Sequence, residues 1–250
     1  MIIKTLPLVY YSLSGLLNFV TCCFLALFVF LKNTRSSVNK IFSLFCFAIA
    51  QWSIFYFIWL STKDAWLADF YIRTCMIGVI FMPSAFTHFV IIFTAAKKNK
   101  RLILINYFLS LSIAMTVYSS FYARMGGPFL VFPYWPLAGI LFPTHLVHFS
   151  VNLIYSYGLI FKTLKQNKGI FREQIRYVFL GTAIGFLGGL TNYFCWYRIP
   201  VPPFLNITAS LGVPILAYAI LRYRLMDITL AITRTGIFVA VYTIILGLPF

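Results

Sequence analysis

Apolar residues fill this chain in eight stretches separated by short polar breaks. Seven of them cover residues 8–31, 41–60, 70–96, 102–122, 142–161, 177–197 and 207–221. Each is near the roughly 20 helical residues that cross a bilayer. Barrel strands would instead alternate apolar and polar positions over about ten residues. The pattern therefore predicts an all-α, polytopic transmembrane helical bundle. The seventh stretch is short and carries Pro214, which predicts a kink. The eighth, GIFVAVYTIILGLPF over 236–250, reaches only about 22 Å as a helix, against a hydrocarbon core of about 30 Å. It reads as a truncated eighth span. The expected organisation is a seven-helix membrane domain over 1–235 and the start of a further transmembrane helix over 236–250.

Charge gives these spans a direction. Lys32, Arg35 and Lys40 fill the first break, and Lys97, Lys98, Lys100 and Arg101 the third. Lys162, Lys165, Lys168, Arg172 and Arg176 fill the fifth, and Arg222, Arg224 and Arg234 the seventh. The alternate breaks and the N-terminus hold only Lys4, Lys63, Arg73, Arg124 and Arg198. Translocating Lys or Arg is disfavoured, so the basic breaks are expected in the cytoplasm and the N-terminus outside. The net charge of +16 then belongs to membrane edges, where each basic residue gains about 1 kcal/mol from anionic lipid. That accounts for the basic balance without a nucleic-acid partner.

Two loops differ from the other short breaks. Residues 123–141 are rich in proline and aromatics, and 198–206 holds Pro200, Pro202 and Pro203. Both are expected at the outer mouth, either as a lid or as an interfacial aromatic belt. The five cysteines all fall within predicted spans and read as small packing residues. A bridge between Cys75 and Cys195 would require their helices to touch.

Chemistry is sparse. Catalysis at depth needs acids, bases or metal ligands, and the four acidic residues, Asp64, Asp69, Glu173 and Asp227, sit in loops or at helix ends. No proton relay of the kind used by ion-coupled transporters can be drawn from them. No catalytic residues, cofactor or metal site are expected. His145 and His148 share one helix face, while His88 lies well over 10 Å deeper in its span by helical rise. The three cannot share one metal site, and a closed zinc site wants four ligands. Asp69 and Arg73 form an i,i+4 pair, although Arg73 could instead meet an anionic ligand or stack on Trp59 or Tyr56. Gly181, Gly185 and Gly189 recur every four residues and favour close helix packing, within the bundle or between two copies.

Polar and aromatic side chains exposed to lipid would be penalised. Spans two, three, five and six are therefore expected to surround an outer pocket lined by Trp52, Tyr56, Arg73, His145, His148 and Asn192. The exit from span seven carries Arg222, Arg224 and Asp227. The arginines are expected at the inner headgroup layer, with Arg224 and Asp227 spaced for an i,i+3 pair.

Three segments carry a family resemblance: REQIRYVFLGTAIGFLGGLTNY over 172–193, IPVPPF over 199–204 and AYAILRYRLMDI over 217–228. Trp52, Pro83, the FTHF run over 86–89 and YWPLAG over 134–139 agree with it. Together they resemble the seven-transmembrane N-terminal sensor region of bacterial histidine kinases. The resemblance implies a sensory input module in the bacterial cytoplasmic membrane, followed in a full-length protein by cytoplasmic signalling domains. A phospho-acceptor helix and a nucleotide-binding glycine box are missing from these 250 residues, so no kinase activity is expected of them. The expected partners are the lipid bilayer, an unidentified small or hydrophobic ligand, and a second copy of the chain. The competing reading is a small transporter or membrane scaffold with no signalling role.

Overall fold

Helix ends in this chain are set by short polar side chains and by glycine and proline. Ser36 caps helix α2 (Ser37–Ser61), its Oγ accepting from the Asn39 amide at 3.3 Å. Asp64 caps α3 (Ala65–Phe93), its Oδ1 accepting from the Leu67 amide at 2.8 Å. Both satisfy amides that the first turn leaves without partners. Pro143 occupies the first turn of α5 (Phe142–Gln166), where its missing N–H is no loss. Gly169 adopts a φ of 67° and reverses the chain into α6 (Gly169–Leu190).

The computed structural model describes residues 2–96 and 100–223. Besides these helices it contains α1 (Ile2–Lys32), α4 (Lys100–Thr116), the short α7 (Asn192–Trp196) that continues α6, and α8 (Thr208–Tyr223). A single 3₁₀ turn, Phe204–Ile207, leads into α8. The only described strands, β1 (Ala123–Arg124) and β2 (Leu137–Ala138), form a two-residue antiparallel ladder. Pro83 lies within α3.

Packing arranges these elements as a ring. α1 lies on α2, α2 on α3, α3 on α5, α5 on α6 and α6 on α8, and α8 returns to α1. α4 stands outside the ring against α3 and α5. It buries one residue, Ser110, and exposes Leu104, Phe108 and Met115. The ring interior is aromatic: Phe86 meets Phe45 and Phe186 at centroid distances of 5.3 and 5.1 Å. At one end of the bundle, Trp59 meets Trp135 at 5.0 Å and Tyr56 at 5.5 Å. This aromatic end also holds the 123–141 segment, whose Phe132 and Trp135 are fully buried.

The helical reading of the sequence corresponds to the elements except at one end. A fourth span over 102–122 is expected, yet α4 stops at Thr116. Arg73 supplies the reason: its guanidinium collects the carbonyls of Val117, Ser119 and Ala123 at 2.8, 3.0 and 2.8 Å. Carbonyls turned toward one side chain cannot continue the helical ladder. Arg224, Asp227 and the apolar run 236–250 lie outside the described residues, and Arg222 falls in the last turn of α8.

A candidate ligand cavity inside the helix ring

The ring encloses a cavity of about 80 Å³. α1 contributes Cys22 and Leu25, and α2 contributes positions from Phe45 to Trp59. α6 and α7 line it from Gly181 to Trp196, and α8 contributes Ala209, Gly212 and Leu216. α3 contributes five positions from Ile72 to Met82, and Phe149 of α5 and Trp135 of the aromatic loop complete the wall. Small residues make this possible. A Cβ on Gly181 would sit 3.1 Å from the Gly212 carbonyl oxygen, and one on Gly212 would strike the Gly181 carbonyl. The α6 and α8 backbones are thus in contact. Of the spaced glycines of α6, Gly181 serves this close approach and Gly188 beside them a second one against Leu205 and Thr208, whereas a Cβ on Gly189 would meet nothing within 4 Å.

Polar groups gather where α8 begins. Asn192 Nδ2 donates to the Gly189 carbonyl and to Asn206 Oδ1, both at 3.1 Å. Asn206 Nδ2 donates to Ser14 Oγ at 3.1 Å, and Asn18 Nδ2 donates to the Asn206 carbonyl at 3.1 Å. Ser210 Oγ of α8 donates to Asn18 Oδ1. This cluster ties α1, the α7 start and α8 together, with Asn192 facing the cavity. Three polar atoms on cavity-lining residues have no hydrogen-bond partner: Tyr56 Oη, Trp135 Nε1 and Asn192 Oδ1. Their residues are 2%, 1% and 9% exposed.

Four described helical segments are long and apolar enough to cross a membrane: Leu8–Lys32, Ser37–Ser61, Ala65–Phe93 and Gly169–Trp196. The family model for the N-terminal 7TM region of histidine kinase matches residues 15–229. The chain belongs to that family. No curated protein and no solved structure matches the chain. The histidine-kinase 7TM region is thus a multi-pass helical membrane bundle. α5 is less apolar than these four, carrying His145, His148, Asn152 and Ser156, all of them buried within the bundle.

This 7TM region divides the six side chains expected around an outer pocket. Trp52, Tyr56 and Asn192 line the cavity. Arg73, His145 and His148 are equally buried but stand elsewhere. Arg73 donates Nε to Asp69 Oδ2 at 2.6 Å and gives its remaining contacts to the three carbonyls after α4. It is a structural clamp, with no cation–π contact to Trp59 or Tyr56. Arg198 makes the cation–π contact at this end, 4.9 Å over the Phe129 ring. His145 Nε2 pairs with Tyr193 Oη at 2.8 Å, behind the cavity wall.

His148 belongs to a second polar network, missed from the sequence. Its Nε2 lies 3.1 Å from both Ser84 Oγ and Ser110 Oγ. One turn along, Asn152 and Asn106 exchange amide hydrogen bonds at 2.6 and 3.1 Å, and Thr87 donates to Asn152 Oδ1 at 2.8 Å. The network joins α3, α4 and α5. A side chain at i+7 from His145 is Asn152, and that polar stripe was the available signal. The signal for the α8 cluster was Asn18, an amide alone in an apolar span.

The cysteines are all free. Cys75 donates to the Trp52 carbonyl at 3.2 Å and Cys195 to the Val201 carbonyl at 3.3 Å. Among the described residues, no three His, Cys, Asp or Glu side chains come together to hold a metal ion.

Proposed function

We propose that this region is the sensory input module of a bacterial signal-transduction protein of the sensor histidine kinase type. Seven spans set its N-terminus outside the cytoplasmic membrane and its exit inside. One observation carries the reading: the cavity is walled by α8 itself, and its polar wall residue Asn192 is bonded to Asn206 at the start of α8. A molecule in the cavity therefore touches the helix that leads toward the output. Two α8 positions of similar free energy are enough for a signal, because a ligand shifts populations by its difference in affinity for them. Arg222, Arg224 and Asp227 fix the angle at which the chain leaves the inner headgroup layer. The module has no catalytic role of its own.

The test joins residues 1–228 to the cytoplasmic domains of a histidine kinase and measures autophosphorylation in membrane vesicles. Gly189 lines the cavity, and a Cβ there would meet nothing within 4 Å. Gly189→Leu is expected to fill the space and shift output about fivefold, the effect of ~1 kcal/mol of bias between two states. Leu187→Ala, on the exposed side of the same helix, should leave output unchanged. Equal output from Gly189→Leu and the parent at equal expression would remove the sensory reading.

A further inference from the structure

Two buried cysteines face one another across the seam between α1 and α2. Contacts on either side of them fix the register. Asn39 Nδ2 donates to the Val29 carbonyl at 3.1 Å, and a Cβ on Gly15 would sit 3.1 Å from the Ser53 carbonyl oxygen. Cys22 lies seven residues from both Val29 and Gly15, and Cys46 seven residues from both Asn39 and Ser53. Seven residues make two helical turns, so each cysteine shares the helix face of its anchors. The two antiparallel helices therefore set Cys22 opposite Cys46. Their residues are 1% and 2% exposed, and both are free thiols. Each lies within reach of the other's charge.

Both cysteines line the central cavity, so open space adjoins the pair. Its volume of about 80 Å³ exceeds the roughly 10–15 Å³ that one water requires, and an ion has room there. Sulfur is the recurrent donor on the wall, where Cys75, Met76 and Met82 join Cys22 and Cys46. No carboxylate or imidazole lines it.

This donor set selects among metals. Calcium and magnesium want oxygen ligands, and a closed zinc site wants four donors. Among the described residues, no three His, Cys, Asp or Glu side chains come together. Thiolate and thioether sulfur instead favour Cu(I), which, like Ag(I), accepts as few as two donors. Charge agrees with this choice. A thiol that binds a metal as thiolate gives up its proton. One thiolate, one neutral thiol and one monovalent cation sum to no net charge, which avoids the cost of burying an unpaired charge among apolar side chains.

We infer that Cys22 and Cys46 bind a thiophilic monovalent cation, Cu(I) or Ag(I), between α1 and α2. The site goes beyond the sensory reading and stands or falls without it.

The probe is silver ion alone, added to the full 250-residue chain in phosphatidylcholine nanodiscs in chloride-free buffer, with zinc ion as the comparison. Retained metal is counted by mass spectrometry after desalting. Thermal unfolding is followed in parallel, since a ligand that binds only the folded state raises Tm. The parent should keep one silver ion per chain, gain Tm, and keep no zinc. Cys22→Ser and Cys46→Ser should each lose the ion and the gain in Tm together. Cys23→Ser and Cys195→Ser should keep both. If a seam variant fails to fold, the parent itself decides. Loaded with Cu(I) under ascorbate, its X-ray absorption at the copper edge should show sulfur neighbours alone. Nitrogen or oxygen neighbours would overturn the assignment. So would equal retention of zinc, silver kept without a gain in Tm, silver kept by folded Cys22→Ser or Cys46→Ser, or equal loss in Cys23→Ser.

Discussion

Replacing Arg73 tests how the aromatic end is held together. Its side chain is 9% exposed, that of Asp69 23%. Asp69 accepts one bond from it, while three backbone carbonyls accept the rest. Hydrogen bonds to a charged group are worth about 1.5–3 kcal/mol each. Arg73→Met removes all of them and leaves a half-buried carboxylate and three carbonyls unpaired. Some of these groups regain water, because Asp69 is partly open. The expected loss is therefore ~3–5 kcal/mol, the range for breaking a buried pair from one side. Asp69→Asn leaves the three carbonyl bonds and an amide oxygen acceptor in place and should cost only about 1–2 kcal/mol, one weakened hydrogen bond. Arg73→Lys should fall between them, since an ammonium cannot span three carbonyls as a planar fork does. Unfolding by dodecyl sulfate in mixed micelles, followed by tryptophan fluorescence, measures all three. If Asp69→Asn proves as damaging as Arg73→Met, the ion pair and not the carbonyl clamp holds this end, and the reasoning fails.

Other outcomes follow from single contacts. Gly78→Ala should destabilise the α2–α3 pair by about 1–3 kcal/mol, the usual cost of overpacking, because a Cβ there meets the Ala48 carbonyl at 2.6 Å as well as the Gln51 side chain; unchanged unfolding would refute it. For orientation, Lys63→Cys should react with an impermeant thiol reagent applied outside intact cells, and Lys168→Cys should not. The reverse labelling would invert the whole topology.

Much of the architecture was legible because a bilayer imposes simple rules. Basic residues crowd into alternate breaks, four described helices have bilayer length, and the 172–193 and 217–228 segments carry the family pattern. The Asp69–Arg73 pair follows from helical spacing alone, and the small residues of α6 announced the close approach at Gly181 but not that Gly189 would meet nothing. What each buried polar group would meet was not legible. In water an apolar stripe shows which way a helix turns. In lipid both the core and the surroundings accept Leu or Phe, so that stripe carries no direction. His148 and Asn192 could be placed at a depth but not at an angle. The structure turns His148 toward α3 and α4 and Asn192 toward the cavity. The 123–141 loop posed a similar difficulty, since Trp135 enters the cavity wall through a fold-back that no period announces.

The single buried serine of α4 has a consequence for how variation in this family should be read. A surface-diversified soluble protein keeps its large apolar positions and changes its small polar ones. Along α4 the ranking inverts. Leu104, Phe108 and Met115 are exposed on the outside of the bundle, and exchanging them among apolar types disturbs little of the internal packing. Ser110, whose hydroxyl meets Ser84 and donates to the Ile80 carbonyl, is the position where drift would detach the helix. Ordinary hydrophobicity-weighted scoring of natural variants would rank these sites in the wrong order.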